Sequence, residues 1–78
     1  MTEELRLTLD CRGGRCPLPV IELAEAAKAA RPGDVIRVLA DDPAAAHDIP
    51  AWCRMRGQEF LGTVQAAGVP AYDVRCAG

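Results

Sequence analysis

The segment that most constrains the fold is DVIRVLAD, at residues 34–41, an apolar run rich in β-branched side chains. Such a run is typical of a strand at the centre of a sheet, and we expect it there. A chain of 78 residues is long enough for one small core and too short for two. The sequence therefore predicts one domain, spanning residues 1–78, built around this strand.

Three further segments are predicted strands. In residues 4–10 the leucines alternate with polar residues, and residues 59–65 and 71–76 flank the turn sequence AAGVP. In the last segment Asp73 and Arg75 alternate with apolar side chains. Because successive side chains of a strand point to opposite faces, we expect one face of the sheet to lie in water.

A first helix is predicted over residues 17–30, where apolar and charged side chains follow helical spacing. Pro17 suits the first turn, where its missing N–H has no partner in the helix. Arg-Pro-Gly at 31–33 should end the helix. The predicted apolar stripe consists of Val20, Leu23, Ala24 and Ala27.

A second helix is predicted within residues 41–57. Asp42 should cap this helix, Pro43 should occupy its first turn and Gly57 should end it. Pro50 lies inside the segment, so we expect either a kink or a restart capped by Asp48. The side chains expected to face the core are Ile49, Trp52 and Cys53.

The resulting element order, βαβαββ, limits the possible architecture. Two helices cannot cover both faces of four strands, and the alternating strands already predict one face in water. We therefore expect an α+β fold: a two-layer sandwich in which both helices lie on one face of a mixed four-stranded sheet. The crossover between the first two strands should be right-handed.

The candidate functional residue is Cys16, which falls at the predicted N-cap of the first helix. The helix dipole and the unpaired N–H groups of a helix start favour a thiolate over a thiol. Pro17 and Pro19 should stiffen this first turn. The sequence therefore predicts a nucleophilic thiol.

The loop before Cys16 supports the same interpretation. Arg12 and Arg15 would add positive charge beside the thiol if the loop folds back. Gly13 and Gly14 would let the loop bend sharply and leave the sulfur accessible to another protein. A lone reactive cysteine of this kind can accept a group covalently and hand it on.

The other cysteines and the single histidine fit other chemistries less well. His47 lies early in the second helix and is expected to be a solvated residue rather than a catalytic base. No second cysteine stands at CxxC spacing, although Cys11 could pair with Cys16. Cys53 and Cys76 are expected in the core, and a zinc site formed by all four cysteines lacks the usual spacing.

Charge and composition narrow the class of protein. The net charge is −2, so no strong positive field would draw the chain onto nucleic acid. Eight of the nine basic residues are arginines, which suit contacts with acidic groups of a partner, notably near the cysteine loop. The acidic segment MTEELRLTLD does not resemble a signal peptide, and no apolar run approaches a membrane span. We expect a cytoplasmic monomer.

Two blocks resemble the TusA/SirA family of sulfur carrier proteins. LDCRGGRCPLPVIELAEA at 9–26 is similar to the family's signature, with its Cys-Pro-X-Pro motif at 16–19, and ADDPAAAHDIPAWC at 40–53 resembles its second block. The resemblance covers the chain from Leu5 to Cys76. It implies that Cys16 accepts sulfane sulfur as a persulfide and that no cofactor is needed.

The resemblance also implies protein partners. The sulfur would come from a cysteine desulfurase or a rhodanese-like donor and pass to an acceptor protein in tRNA 2-thiouridine formation, molybdenum cofactor biosynthesis or sulfur oxidation. Leu18 stands between the two prolines, where relatives often have a polar residue, and Cys11 is not a cysteine the family requires. An alternative function is a non-catalytic, partner-binding module whose thiol senses redox state.

Overall fold

The chain folds into a four-stranded sheet with both helices packed on one face. The computed structural model describes residues 5–15 and 17–77. Its elements are β1 (Leu5–Asp10), α1 (Leu18–Ala29), β2 (Val35–Leu39), α2 (Ala45–Arg56), β3 (Glu59–Ala66) and β4 (Val69–Arg75). The strand order is β1-β2-β4-β3, with β1 parallel to β2 and the other neighbours antiparallel. The predicted α+β sandwich is confirmed.

The core lies between the helices and one face of the sheet. On this face Ile36 of β2 is paired with Val74 of β4, and Val38 is paired with Tyr72. All four side chains are buried. The helices add buried side chains to the same cluster, so both helices are held by one core. These helical side chains are Leu23, Ile49, Trp52 and Cys53.

The opposite face of the sheet carries ion pairs. Arg37 and Asp73 are cross-strand partners, joined by a bidentate contact with Nε–Oδ1 and Nη2–Oδ2 distances of 2.8 and 2.9 Å. Arg75 binds Glu59 of the neighbouring strand at 2.8 Å. The predicted polar face is confirmed, although Val35 of the central strand is buried there as well.

The start of α1 differs from the prediction by one residue. The N-cap is Pro17 and not Cys16, because the φ of −92° and ψ of 16° at Pro17 lie outside the helical values. Pro19, rather than Pro17, occupies the first turn of the helix, where a missing N–H costs nothing. Cys16 itself lies outside the described residues.

The start of α2 also differs from the prediction. The helix begins at Ala45, and its N-cap, Ala44, makes no side-chain cap bond. The Asp42 carboxylate accepts the N–H of Ala44 at 3.0 Å, and the N–H of Ala46 bonds to the carbonyl of Pro43 at 3.2 Å. Asp42 and Pro43 therefore belong to a tighter, 3₁₀-type turn that leads into α2.

α2 continues through Pro50 without the predicted restart at Asp48. A proline at this position removes one hydrogen bond of the helix. The side chains of Ile49 and Trp52, on either side of Pro50, are buried in the core. Their burial offsets the lost bond and keeps the segment helical. As predicted, Gly57 ends α2, with a left-handed φ of 70° that glycine adopts without steric cost.

Candidate functional site

The loop between β1 and α1 lies at the edge of the sheet where two parallel strands end. Because β1 and β2 run parallel, the residues that follow each strand meet at this edge. The N–H of Cys11 donates to the carbonyl of Leu39 at 2.8 Å. The N–H of Gly13 donates to both carboxylate oxygens of Asp41, at 3.0 and 3.1 Å. The loop is therefore attached to the end of β2 at two points.

Glycine is required at two positions of the loop, for a different structural reason at each. Gly13 has a φ of 82°, a conformation that other residues adopt at a cost. Gly14 donates its N–H to the carbonyl of Cys11 at 3.1 Å. A Cβ added to Gly14 would lie 2.6 Å from Cδ2 of Leu18 and 3.3 Å from the carbonyl oxygen of Cys11. The loop thus turns sharply at Gly13 and packs closely against the start of α1 at Gly14.

Arg12 forms an ion pair with Asp10, the last residue of β1. Its guanidinium makes a bidentate contact with the Asp10 carboxylate, with distances of 2.8 and 2.6 Å. The hydrogen bonds from Arg12 lower the pKa of Asp10 to about 2. Because the two charges offset each other, Arg12 adds less net positive charge to the loop than its sequence position indicates.

Arg15 lies beside an open groove next to the loop. The side chain is exposed, and its backbone carbonyl accepts the N–H of Leu18 at 2.8 Å. The groove has a volume of about 410 Å³, and its lining combines the loop with the segment after β2. The lining residues are Gly13, Gly14, Arg15, Asp41, Asp42 and Pro43.

The first turn of α1 has fewer unpaired N–H groups than the sequence predicted, because the N–H of Leu18 bonds to the carbonyl of Arg15 and Pro19 has no N–H. Among the described residues, no acidic side chain lies in this turn and Pro17 makes no side-chain cap bond. The partial positive charge of a helix start is therefore not neutralised from within the turn. Pro17 is exposed, whereas Pro19 is fully buried and anchors the turn in the core.

The predicted nucleophile, Cys16, lies outside the described residues, so its role stays a prediction. It stands in the sequence between Arg15 and Pro17, both of which are exposed. The predicted supporting residues are in part brought together: Gly13, Gly14 and Arg15 line one groove, and Pro17 lines another. Cys11, the residue that could pair with Cys16, is a free and buried thiol.

An apolar surface adjoins the start of α1. Leu18 and Ile21 are exposed to 41% and 51%, and Met55 of α2 is exposed to 77%. A shallow groove of about 260 Å³ runs between the two helices beside them. Its lining residues are Pro17, Val20, Asp48, Ala51, Trp52 and Met55.

The three described cysteines are all buried. Cys11, Cys53 and Cys76 are exposed to 5%, 1% and 2%. Burial is the main cause of a raised pKa at each thiol, and for Cys53 it raises the pKa to about 11. Such thiols stay protonated near neutral pH and are poor nucleophiles. The predictions that Cys53 and Cys76 lie in the core are confirmed.

The remaining charged candidates lie away from the core. His47 is exposed, as predicted. Arg54 and Arg56 are also exposed. Within residues 5–15 and 17–77, no three histidine, cysteine or acidic side chains are grouped as a metal site would need. In the same part of the chain, no helix has the length and apolar character needed to cross a membrane.

Asp41 is the site residue that sequence reasoning missed. It follows the central strand, and the parallel pairing of β1 and β2 brings it to the cysteine loop. The sequence did contain an indication of this contact. In a parallel pair of strands, an aspartate that directly follows one strand lies at the same edge of the sheet as the loop that follows the other strand. Asp41 and Gly13 are 28 positions apart, so their contact could be predicted only when the pairing of β1 with β2 was known.

Comparison with known proteins identifies the family. The sequence profile of the family described as Sulfurtransferase TusA matches residues 7–75. The sulfur carrier protein TusA of Pseudomonas entomophila is 40% identical over 68 residues, which are 87% of this chain and 85% of that protein. The sulfur carrier protein TusA of Pseudomonas aeruginosa is 35% identical over 75 residues, or 96% of this chain and 95% of the relative.

A solved structure supports the same assignment. The crystal structure of a SirA-like protein from Desulfitobacterium hafniense matches with a TM-score of 0.74 at 25% identity. The match covers 92% of this chain and 97% of the other. Similarity in sequence and in fold thus extends over nearly the whole chain. The chain belongs to the TusA family of sulfur carrier proteins.

Proposed function

We propose that this sulfur carrier holds sulfane sulfur as a persulfide on Cys16. The sulfur comes from a protein donor, either a cysteine desulfurase or a rhodanese-like enzyme, and passes to an acceptor protein. The acceptor belongs to tRNA 2-thiouridine formation, molybdenum cofactor biosynthesis or sulfur oxidation. Family membership supports the carrier role, and the Cys-Pro-Leu-Pro motif supports the choice of residue.

The observation that carries the proposal is the burial of the other thiols. Cys11, Cys53 and Cys76 are each at most 5% exposed, and each has a raised pKa. A carrier thiol has to ionise and to reach the active site of another protein. Of the four cysteines in the chain, Cys16 is therefore the candidate that remains.

The chemistry needs one thiolate and no change of net oxidation state. The thiolate of Cys16 attacks the terminal sulfur of the donor persulfide. A new S–S bond forms to Cys16, the S–S bond of the donor breaks, and the donor cysteine leaves as a thiolate. In the second transfer an acceptor thiolate attacks the terminal sulfur, and Cys16 leaves as a thiolate.

The start of α1 supports both transfers. A positive helix terminus stabilises the Cys16 thiolate when it attacks and again when it leaves. Among the described residues of the first turn, no acidic side chain opposes this effect, and Arg15 is exposed next to Cys16 in the sequence. The residues around the motif therefore favour the ionised sulfur in both steps.

The apolar surface beside the motif supports protein partners. Leu18, Ile21 and Met55 are exposed large apolar side chains near the helix start. Exposed apolar patches with polar surroundings are typical of protein interaction sites. A donor or acceptor that packs on this surface would bring its own cysteine towards the motif.

The proposal is tested by loading the protein with sulfur. The chain is incubated with a cysteine desulfurase and cysteine, and the intact mass is measured with and without reductant. We expect a gain of one sulfur atom that reductant removes and that Cys16→Ser abolishes. Cys11→Ala is the matched control and should still be loaded. Loading of Cys16→Ser contradicts the proposal, and so does a wild type that takes up no sulfur from the desulfurase or from a rhodanese-like donor supplied with thiosulfate.

A further inference from the structure

The strongest unassigned feature is the contact between Asp41 and the cysteine loop. Both carboxylate oxygens accept the N–H of Gly13, although the two residues are 28 positions apart. Asp41 follows Ala40, which is fully buried and donates its N–H to the carbonyl of Pro70 at 3.2 Å. The carboxylate therefore extends from a fixed piece of backbone onto the loop.

The contact falls at the bend of the loop. Gly13 has a φ of 82°, and glycine at such a position can adopt many other conformations. The other side-chain bonds described in this loop run from Arg12 to Asp10 and join residues only two positions apart. They cannot attach the loop to β2. The Asp41 contact does so at the most adaptable residue of the loop.

We propose that Asp41 is a positioning residue for sulfur transfer, which fixes the loop that carries Cys16 against the end of β2. This inference rests on the proposed function of Cys16. Gly13 precedes Cys16 by three positions in the sequence and α1 begins two positions after Cys16, so the motif lies between two fixed points of the chain. Donor and acceptor then meet the sulfur in one orientation, which shortens the search for a reactive geometry.

The hydrogen bond, and not the charge, is the useful property of Asp41. A carboxylate near a thiol raises the thiol pKa and so disfavours the thiolate that the transfer needs. An asparagine keeps an oxygen that can accept the Gly13 N–H and lacks the charge. The two roles of Asp41 can therefore be separated by comparing Asp41→Asn with Asp41→Ala.

A matched control stands at the other end of the same strand. Asp34 precedes β2, and its carboxylate accepts the N–H of Arg31 at 3.0 Å. Asp34→Ala removes a loop hydrogen bond of the same type at the edge of the sheet away from the cysteine loop. A loss that comes only from weaker folding should appear in Asp34→Ala as well.

The test measures the rate at which donor persulfide loads Cys16, by quenching and intact mass, in the wild type and the three variants. We expect Asp41→Ala to load about five to ten times more slowly, the value of one hydrogen bond. Asp41→Asn should stay within about twofold of the wild type because it keeps the acceptor, and so should Asp34→Ala. Hydrogen exchange of the Gly13 amide, followed by NMR, should accelerate in Asp41→Ala alone.

The pH profile of Cys16 alkylation gives a second, independent measurement. Both variants lack the carboxylate charge, so if Asp41 positions the loop the midpoint of Asp41→Ala lies at higher pH than that of Asp41→Asn. If Asp41 acts by its charge alone, the two midpoints move equally to lower pH, and the inference is wrong. Every variant keeps the other charged groups of the cysteine loop and of the segment after β2, which are Asp10, Arg12, Arg15 and Asp42.

The remaining outcomes separate the two proposals. Wild-type loading that Asp41→Ala does not slow overturns the role of Asp41 and leaves the carrier function intact. If the wild type takes up no sulfur on Cys16, the proposed function fails. In that case a midpoint of Asp41→Ala above that of Asp41→Asn would still support the fixing of the loop, and equal midpoints would overturn it.

Discussion

Leu23 connects the helix of the cysteine motif to the core, and its truncation is the most informative test of the fold. Leu23 is the central buried residue of α1, with no exposed surface, and it contacts the cluster formed by β2, β4 and α2. Ile21 lies on the same helix, has the same number of side-chain carbons and is 51% exposed. The pair Leu23→Ala and Ile21→Ala thus differs mainly in burial.

The expected magnitudes follow from that difference. Leu23→Ala removes buried carbons and leaves a cavity, which costs about 3 kcal/mol, within a usual range of 2–5 kcal/mol. Ile21→Ala removes carbons already in contact with water and introduces a better helix former, so it should change the free energy of unfolding by no more than about 0.5 kcal/mol. A chain of 78 residues has roughly 4–12 kcal/mol of stability, so the first variant loses a large part of it.

Urea denaturation measures the two costs with Trp52 as the fluorescence probe, since it is the single tryptophan and is buried in the core. With a slope of about 1 kcal/mol per molar urea, Leu23→Ala should lower the midpoint by about 3 M. Ile21→Ala should leave the midpoint nearly unchanged and should slow sulfur loading by a protein donor. Equal midpoints for the two variants would refute the assignment of Leu23 to the core and of Ile21 to the surface.

Two further predictions concern ionisable groups. The pKa of Cys53 rises from 9.0 to about 11 on folding, so the stability from the buried thiol is present below pH 9 and is lost as the pH rises towards 11. Cys53→Ala should lose stability less steeply than the wild type over this range in urea titrations, and parallel curves would contradict the prediction. For the half-buried pair Arg37–Asp73, a double-mutant cycle should give a coupling of about 1 kcal/mol, against less than about 0.5 kcal/mol for the exposed pair Lys28–Glu25. Equal couplings would show that burial does not strengthen the pair.

Much of the fold could be predicted because the patterns are local. The apolar run of β2, the alternating residues of β4 and the left-handed glycine after α2 each depend on a few neighbouring residues. The strand bounds agree with the prediction to within two residues. At Pro50 the sequence left a kink or a restart open, and a longer-range effect decided against the restart: burial of Ile49 and Trp52 keeps α2 continuous.

The candidate site could be predicted only in part. The motif predicted the start of α1 to within one residue, and the alternating pattern placed Cys76 in the core, while the role of Cys16 stays a prediction. The sequence did not reveal that Arg12 is paired with Asp10, because a flexible arginine has several acidic neighbours to choose from. Nor did it reveal the contact of Asp41 with Gly13, which depends on the parallel pairing of β1 and β2.

The sequence by itself determined the order of helices and strands, the two-layer architecture and the cysteine motif, because these depend on residue spacing along the chain. Only the tertiary structure decided which charges are paired and what holds the cysteine loop. It also decided which thiols are buried deeply enough for a raised pKa. Most of those properties depend on residues far apart in sequence, such as Asp41 and Gly13, which meet only when the sheet brings them within hydrogen-bond distance.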